Sequence, residues 1–191
     1  RITSLARDGV GTLISWGNSV SEQASPNYLK LVIGGGPILA RLGSYDTIET
    51  TAFTRMFHAG TSDWMPNGAM PPNNADNTAD TTYYNIYSEN SPTGALAVMT
   101  DGYWKKDLVM RLVSGNVYYI YSQGQYATED LAKKAPLPLL PPSVSEDIAM
   151  LATIVSQKGD TSVASRIYDV RPMFSRVFGY GTEGASGSVQ S

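Results

Sequence analysis

Hydrophobic residues in this chain come in short runs broken by glycine, proline, asparagine and aspartate, a pattern of strands and turns rather than long helices. Residues 12–16 (TLISW), 28–33 (YLKLVI) and 37–42 (PILARL) predict three strands, with Gly34, Gly35 and Gly36 as the tip of a tight hairpin between the last two. Residues 46–57 alternate well enough for a fourth strand. Runs at 82–88 and 95–100 add two more before the Asp101-Gly102 turn signal. In 103–126, two aliphatic and aromatic runs flank Ser114, Gly115 and Asn116, which predicts a β-hairpin. A second β-rich pair spans 148–172 and ends on Asp169, Val170, Arg171 and Pro172.

One helix is expected, at 127–134 (ATEDLAKK). Thr128 is its N-cap, acids occupy its first turn and lysines its last, and proline stops it. Residues 143–149 are expected to add one further turn. The tally is about ten strands at short spacing, so the expected fold is mainly β, an antiparallel β-sandwich or barrel with one short helix. Three stretches fall outside this rhythm. Residues 60–82 show no period and predict a long surface excursion. The proline-dense 135–142 (APLPLLPP) predicts an extended strap, because each proline lacks an amide donor and holds its predecessor extended. Residues 179–191 are glycine- and serine-rich and predict a flexible tail or linker after a single domain over 1–178.

The region 103–174 carries a resemblance. Trp104, then GNVYYIYSQGQYAT, a short alanine- and lysine-containing segment, a proline-rich run and IAMLATIVSQKGDTSVASRIYDVRPMF resemble the closing domain of tail-fibre and related virion proteins of tailed bacteriophages. That resemblance implies a virion structural role, assembly with copies of itself, usually as a trimer, contacts with other virion proteins and a place in host attachment. It is one of pattern and carries no catalytic signature.

Composition narrows the classes. Charged residues make up 16% of the 191 positions against 42% hydrophobic, which excludes a charge-driven disordered chain and predicts a neutral surface suited to burial against copies or partners. A net charge of −3 offers no field for nucleic acid, so none is expected as a partner. Lys105, Lys106, Lys133 and Lys134 read as solvation of turns or edge strands. No apolar run reaches 18 residues, so no membrane insertion is expected. The absence of cysteine removes disulfides and thiolate chemistry. A start at Arg1 without methionine or a signal-like run implies that the natural start is processed or lies elsewhere.

Candidate chemistry is sparse. His58 is the sole histidine and no G-x-S-x-G elbow accompanies it, so a packed or surface role is expected. The 17 acids scatter without a paired spacing, although distant strands can assemble a pair. Residues 73–80 (NNADNTAD) carry oxygen ligands but lack the glycine and closing glutamate of an EF-hand loop. No catalytic residue, metal or cofactor is therefore expected. Tyrosines concentrate mid-chain, and Tyr83, Tyr84, Tyr87, Tyr103, Trp104, Tyr119 and Tyr121 are the candidate contacts for a glycan or a protein partner. Asp169 and Arg171 are expected to share a strand face, with Arg171 pinning the closing strand through a carboxylate or strand-end carbonyls. Three functions follow in order: a non-enzymatic, self-associating virion protein; a carbohydrate-binding module using exposed aromatics; and a polysaccharide-degrading tail enzyme.

Overall fold

A computed structural model describes residues 13–14, 16–40, 43–59, 63–66, 77–88, 91–140 and 148–171. The strands are β1 (Leu13–Ile14), β2 (Val20–Glu22), β3 (Leu31–Ile33), β4 (Gly36–Ala40), β5 (Gly43–Thr47), β6 (Thr54–Ala59), β7 (Asp63–Pro66), β8 (Tyr83–Ser88), β9 (Ser91–Val98), β10 (Trp104–Leu112), β11 (Val117–Ile120), β12 (Ile148–Gln157) and β13 (Ile167–Asp169). The one α-helix among the described residues is α1 (Glu129–Lys134). The fold is mainly β and sandwich-like, and no sheet among the described residues closes into a barrel.

A six-stranded sheet, ordered β13-β12-β10-β11-β6-β7, is the backbone of the molecule. Its pairs are antiparallel except β11 with β6, which runs parallel. Strand β10 sits at the centre because alternation makes both of its faces apolar enough to bury: Leu108 and Met110 point one way, Val109 the other. Gly115, at φ +92°, turns the β10–β11 hairpin, and the Leu112 amide donates to the Asn116 carbonyl at 2.9 Å. A register shift between Val109 and Met110 brings Ala152 and Met150 opposite them, a bulge in β12 at Leu151.

Three small sheets, β1-β4-β5, β2-β3 and β8-β9, form the second layer. They bring Leu31, Ile33, Ile38, Tyr83 and Leu96 onto Val109, Val117, Tyr119, Tyr121, Leu151 and Ile154. The opposite face of the large sheet buries Met56, Leu108, Met110 and Ile120 beneath Trp64, Val170 and Leu140 of the strap. Thr128 caps α1 by accepting from the Leu131 amide. At the other end, the Lys106 ammonium donates to the carbonyls of Lys133 and Ala135, neutralising the negative helix terminus. No described helix is long and apolar enough to cross a membrane.

Several expectations need correction. Runs 28–33 and 37–42 do not pair with each other: β3 pairs with β2, and β4 with β1 and β5. Glycine is needed there for close crossing rather than for a tip, since a Cβ on Gly35 would lie 2.7 Å from the Thr47 carbonyl and one on Gly36 would lie 2.6 Å from that of Trp16. The expected strand 46–57 is two elements, β5 and β6, broken at 48–53 where Thr50 bridges to Ile33. Ile148 and Ala149, assigned above to a helical turn, belong to β12, and the rest of that turn lies outside the described residues. Most of the 60–82 excursion, the end of the strap at 141–142 and the 179–191 tail also lie outside them.

Candidate functional site

Alternation along β10 sends Lys105, Asp107, Val109 and Arg111 to the inner face between the layers, and this is where the unusual chemistry of the chain gathers. Lys105 and Asp107 are fully buried, with the ammonium 2.8 Å from the carboxylate. The same ammonium donates to the Tyr83 carbonyl at 2.7 Å and lies 4.9 Å from the centre of the Tyr121 ring. Asp107 also accepts from the Tyr119 hydroxyl at 2.5 Å and the Ser122 amide at 2.7 Å. Across the tyrosines stands a second acid. Asp80 accepts from the Tyr121 hydroxyl at 2.8 Å and from the amides of Thr82 and Tyr83 at 2.7 and 3.0 Å. Arg55, also buried, donates to the Thr78 carbonyl and lies against the Phe53 ring.

The two acids are held differently. Burial pushes the Asp107 carboxyl above its ordinary range, and Lys105, Tyr119 and Ser122 offset that only in part. Burial also acts on Asp80, but the Lys105 charge and three hydrogen-bond donors outweigh it and leave that carboxyl below its ordinary range. Burial, with both carboxylates nearby, drives the Tyr119 and Tyr121 hydroxyls upward, so both remain donors. Each acid is held by donors inside the core. This arrangement locks the β8–β9 hairpin to the large sheet, with both acids buried.

Asn85 completes that lock. Its side-chain amide accepts from the His58 amide and donates to the His58 carbonyl, both at 2.9 Å, so one side chain takes over beside β6 where its pairing with β11 stops at Met56. His58 itself is packed: its ring stacks on Tyr87 with centroids 3.9 Å apart and meets Trp64 edge-on.

At the far end of β10, the Arg111 guanidinium gathers the N-terminal loops. It donates to the carbonyls of Gly34, Ile48 and Gly115 at 2.9, 2.6 and 3.1 Å, and to the Asn18 side chain at 3.1 Å. Arg171 donates to both carboxylate oxygens of Asp169 and to the Gly17 carbonyl. Burial lowers the Arg111 pKa, whereas the Asp169 carboxylate raises that of Arg171. Near these anchors two large apolar side chains are exposed, Trp16 by 66% and Ile48 by 81%.

The predicted contact residues divide. Tyr119 and Tyr121 are fully buried and belong to the core, a correction that follows from β11 lying inside the sheet with its tyrosine hydroxyls spent on Asp107 and Asp80. Tyr83 packs its side chain against the inner core. Tyr87 is taken up by His58, and Trp104 by the Arg166 guanidinium 4.9 Å from its ring. Tyr84, on β8, and Tyr103, just ahead of β10, are half-buried. The structure gathers no plane of exposed rings from these seven. Lys105 is also a correction, since it lies in the core beside Asp107 rather than solvating a turn.

The residues that organise the site, Lys105, Asp107, Asp80, Asn85 and Arg111, were missed as such by residue type. A signal did exist. Lys105, Asp107 and Arg111 share a parity with Val109 on a strand whose other parity is Leu108, Met110 and Leu112, so both faces had to be covered. No family model, no curated protein and no solved structure matches the chain. No group of three or more metal-ligating side chains occurs among the described residues.

Proposed function

We propose that this chain is a non-enzymatic structural protein of a tailed-phage virion, a fibre, tail or capsid-surface domain that assembles with copies of itself, the trimer being the form its sequence resemblance implies. The observation that carries the reading is the surface. Trp16, Tyr28, Ile48, Ile86, Val98 and Leu131 expose between 49% and 81% of their area, while buried charges such as Lys105, Asp107 and Arg111 are spent inside. Large apolar side chains on a charge-poor exterior favour burial against further protein. Size-exclusion chromatography with light scattering tests it. The expected particle has three times the 20.6 kDa chain mass, and a stable monomer at micromolar concentration removes the assembly claim.

Carbohydrate binding is the second reading, and Trp16 and Tyr28 now carry it, because they are the two exposed aromatics of the described surface. A glycan array that returns no binder rejects it. Degradation of polysaccharide draws no support from Asp80 and Asp107, which are held by donors within the core.

A further inference from the structure

We propose that Lys105 and Asp107 join covalently inside the core, through an isopeptide bond in which the lysine Nζ becomes the amide nitrogen of the aspartate side chain. The two residues share one face of β10, about 6.6 Å apart along the strand, and the lysine stem bridges that span. Its ammonium already stands 2.8 Å from Asp107 Oδ2, and both side chains are fully buried. Reacting groups fixed in such proximity meet at effective concentrations that reach about 10⁵ M or more. In water the condensation is opposed because hydration stabilises the amine and the carboxylate as ions. Burial removes that opposition, and the amide leaves no ion pair to desolvate.

The step balances without a co-reactant. The ammonium passes one proton to Oδ2, and the amine lone pair attacks Cγ. A second proton from the nitrogen then joins Oδ2, which leaves as water. A C–N bond has replaced a C–O bond, and Oδ1 remains as the amide carbonyl. The neighbours of the carboxylate fit this course. The Ser122 amide donates at 2.7 Å to Oδ1, where negative charge gathers during attack, and the Tyr119 hydroxyl donates at 2.5 Å to Oδ2, the departing oxygen. Burial pushes the Asp107 carboxyl above its ordinary range, which favours the protonated acid that an amine can attack. Ser156 stands opposite Lys105 in the β10–β12 register, and its buried hydroxyl has no partner among the described residues, so it can receive the released water. Asp80 loses the neighbouring ammonium in the product but keeps the Tyr121 hydroxyl and the Thr82 and Tyr83 amides as donors.

Mass spectrometry of the full chain under denaturing conditions tests the proposal. The expected mass is lower than that of the sequence by one water, about 18 Da, with fragment ions placing the loss between Lys105 and Asp107. The full sequence mass, unchanged after prolonged incubation of the folded protein, overturns the proposal and needs no variant to fold. A loss that maps to Asp101 and Gly102, or that mild base reverses, is a succinimide and also overturns it. Lys105→Arg keeps a cation but removes the amine, so its full mass should return; a water loss that persists at Asp107 in that variant overturns the proposal as well. None of these readouts depends on whether copies of the chain associate, so failure here leaves the self-assembly reading to its own test.

Discussion

The two ends of β10 are held by opposite means. At Lys105 and Asp107 the sheet has closed over charged side chains and satisfied them with one another, with tyrosines and with the β8–β9 hairpin. At Arg111 the guanidinium reaches out of the sheet and satisfies backbone carbonyls of loops that have few strand partners of their own. The first end is a regular sheet that hides polarity; the second is irregular chain that borrows regularity from an arginine. A buried ion pair is costly to form but costlier to break, because the survivor stays desolvated. An arginine fork instead replaces ladder hydrogen bonds that the loops cannot make. The two ends should therefore fail differently when disturbed.

The largest effect is expected at the sealed end. Lys105→Met leaves Asp107 in the core without its cation and should lower stability by about 3–5 kcal/mol in chemical denaturation at neutral pH. The loss should shrink in acid. Asp107 has a folded-state pKa above its unfolded one, so its contribution is present below the unfolded value and lost as pH rises through the folded one. Adding Asp107→Asn to Lys105→Met should recover part of the loss, since no unpaired charge is then buried. Equal stabilities for the single and double variants would show that Lys105 acts by packing alone.

The irregular end is expected to respond to shape rather than charge. Gly17 has φ +68° and a Cβ there would meet the Gly35 carbonyl at 2.1 Å, so Gly17→Ala combines backbone strain with a backbone clash and should cost about 3 kcal/mol. Gly115→Ala is the matched control. It has positive φ but nothing within 4 Å, so only the conformational term remains, about 1 kcal/mol. If both variants melt together, the crossing of 16–18 over 34–36 is looser than its contacts describe.

This contrast also explains which parts of the structure were readable in advance. The β10–β11 hairpin announced itself through Ser114, Gly115 and Asn116 between apolar runs, and α1 through Thr128 and its ordered charges; both are local signals with local causes. The glycine triplet carried the right message, close approach, but not the identity of the approaching backbone, which lies at Trp16 and at Thr47 and Ile48. Tyr119 and Tyr121 look the same in sequence whether their hydroxyls meet solvent or Asp107 and Asp80. Their partners are 12 and 41 residues away, so periodicity could place them on one face without saying what covers it. Lys105 was misplaced for a related reason: residue type argued for the surface, and only the apolar character of both faces of β10 argued against it.

The smallest expected effect joins the two ends of the chain. Glu22, on β2, accepts from the Leu29 amide at 2.6 Å and from Ser162, Val163 and Ala164 at 2.5, 2.9 and 3.1 Å, which caps the short 164–166 turn ahead of β13. Burial pushes its carboxyl upward, but those four donors outweigh burial and leave it below its ordinary range. A depressed folded-state pKa contributes stability above the unfolded value, near 4.3, and loses it as pH falls through the folded one. Glu22→Gln keeps an acceptor but no charge, and should cost about 1 kcal/mol at pH 7, the scale of a lost cap. The difference between the two proteins should narrow as pH falls below about 4, because the wild-type carboxyl then becomes neutral as well. Melting temperatures followed from pH 7 to pH 3 read this directly. A gap that stays constant across the series would mean that the carboxylate's shape, rather than its charge, ties the first strands to the last.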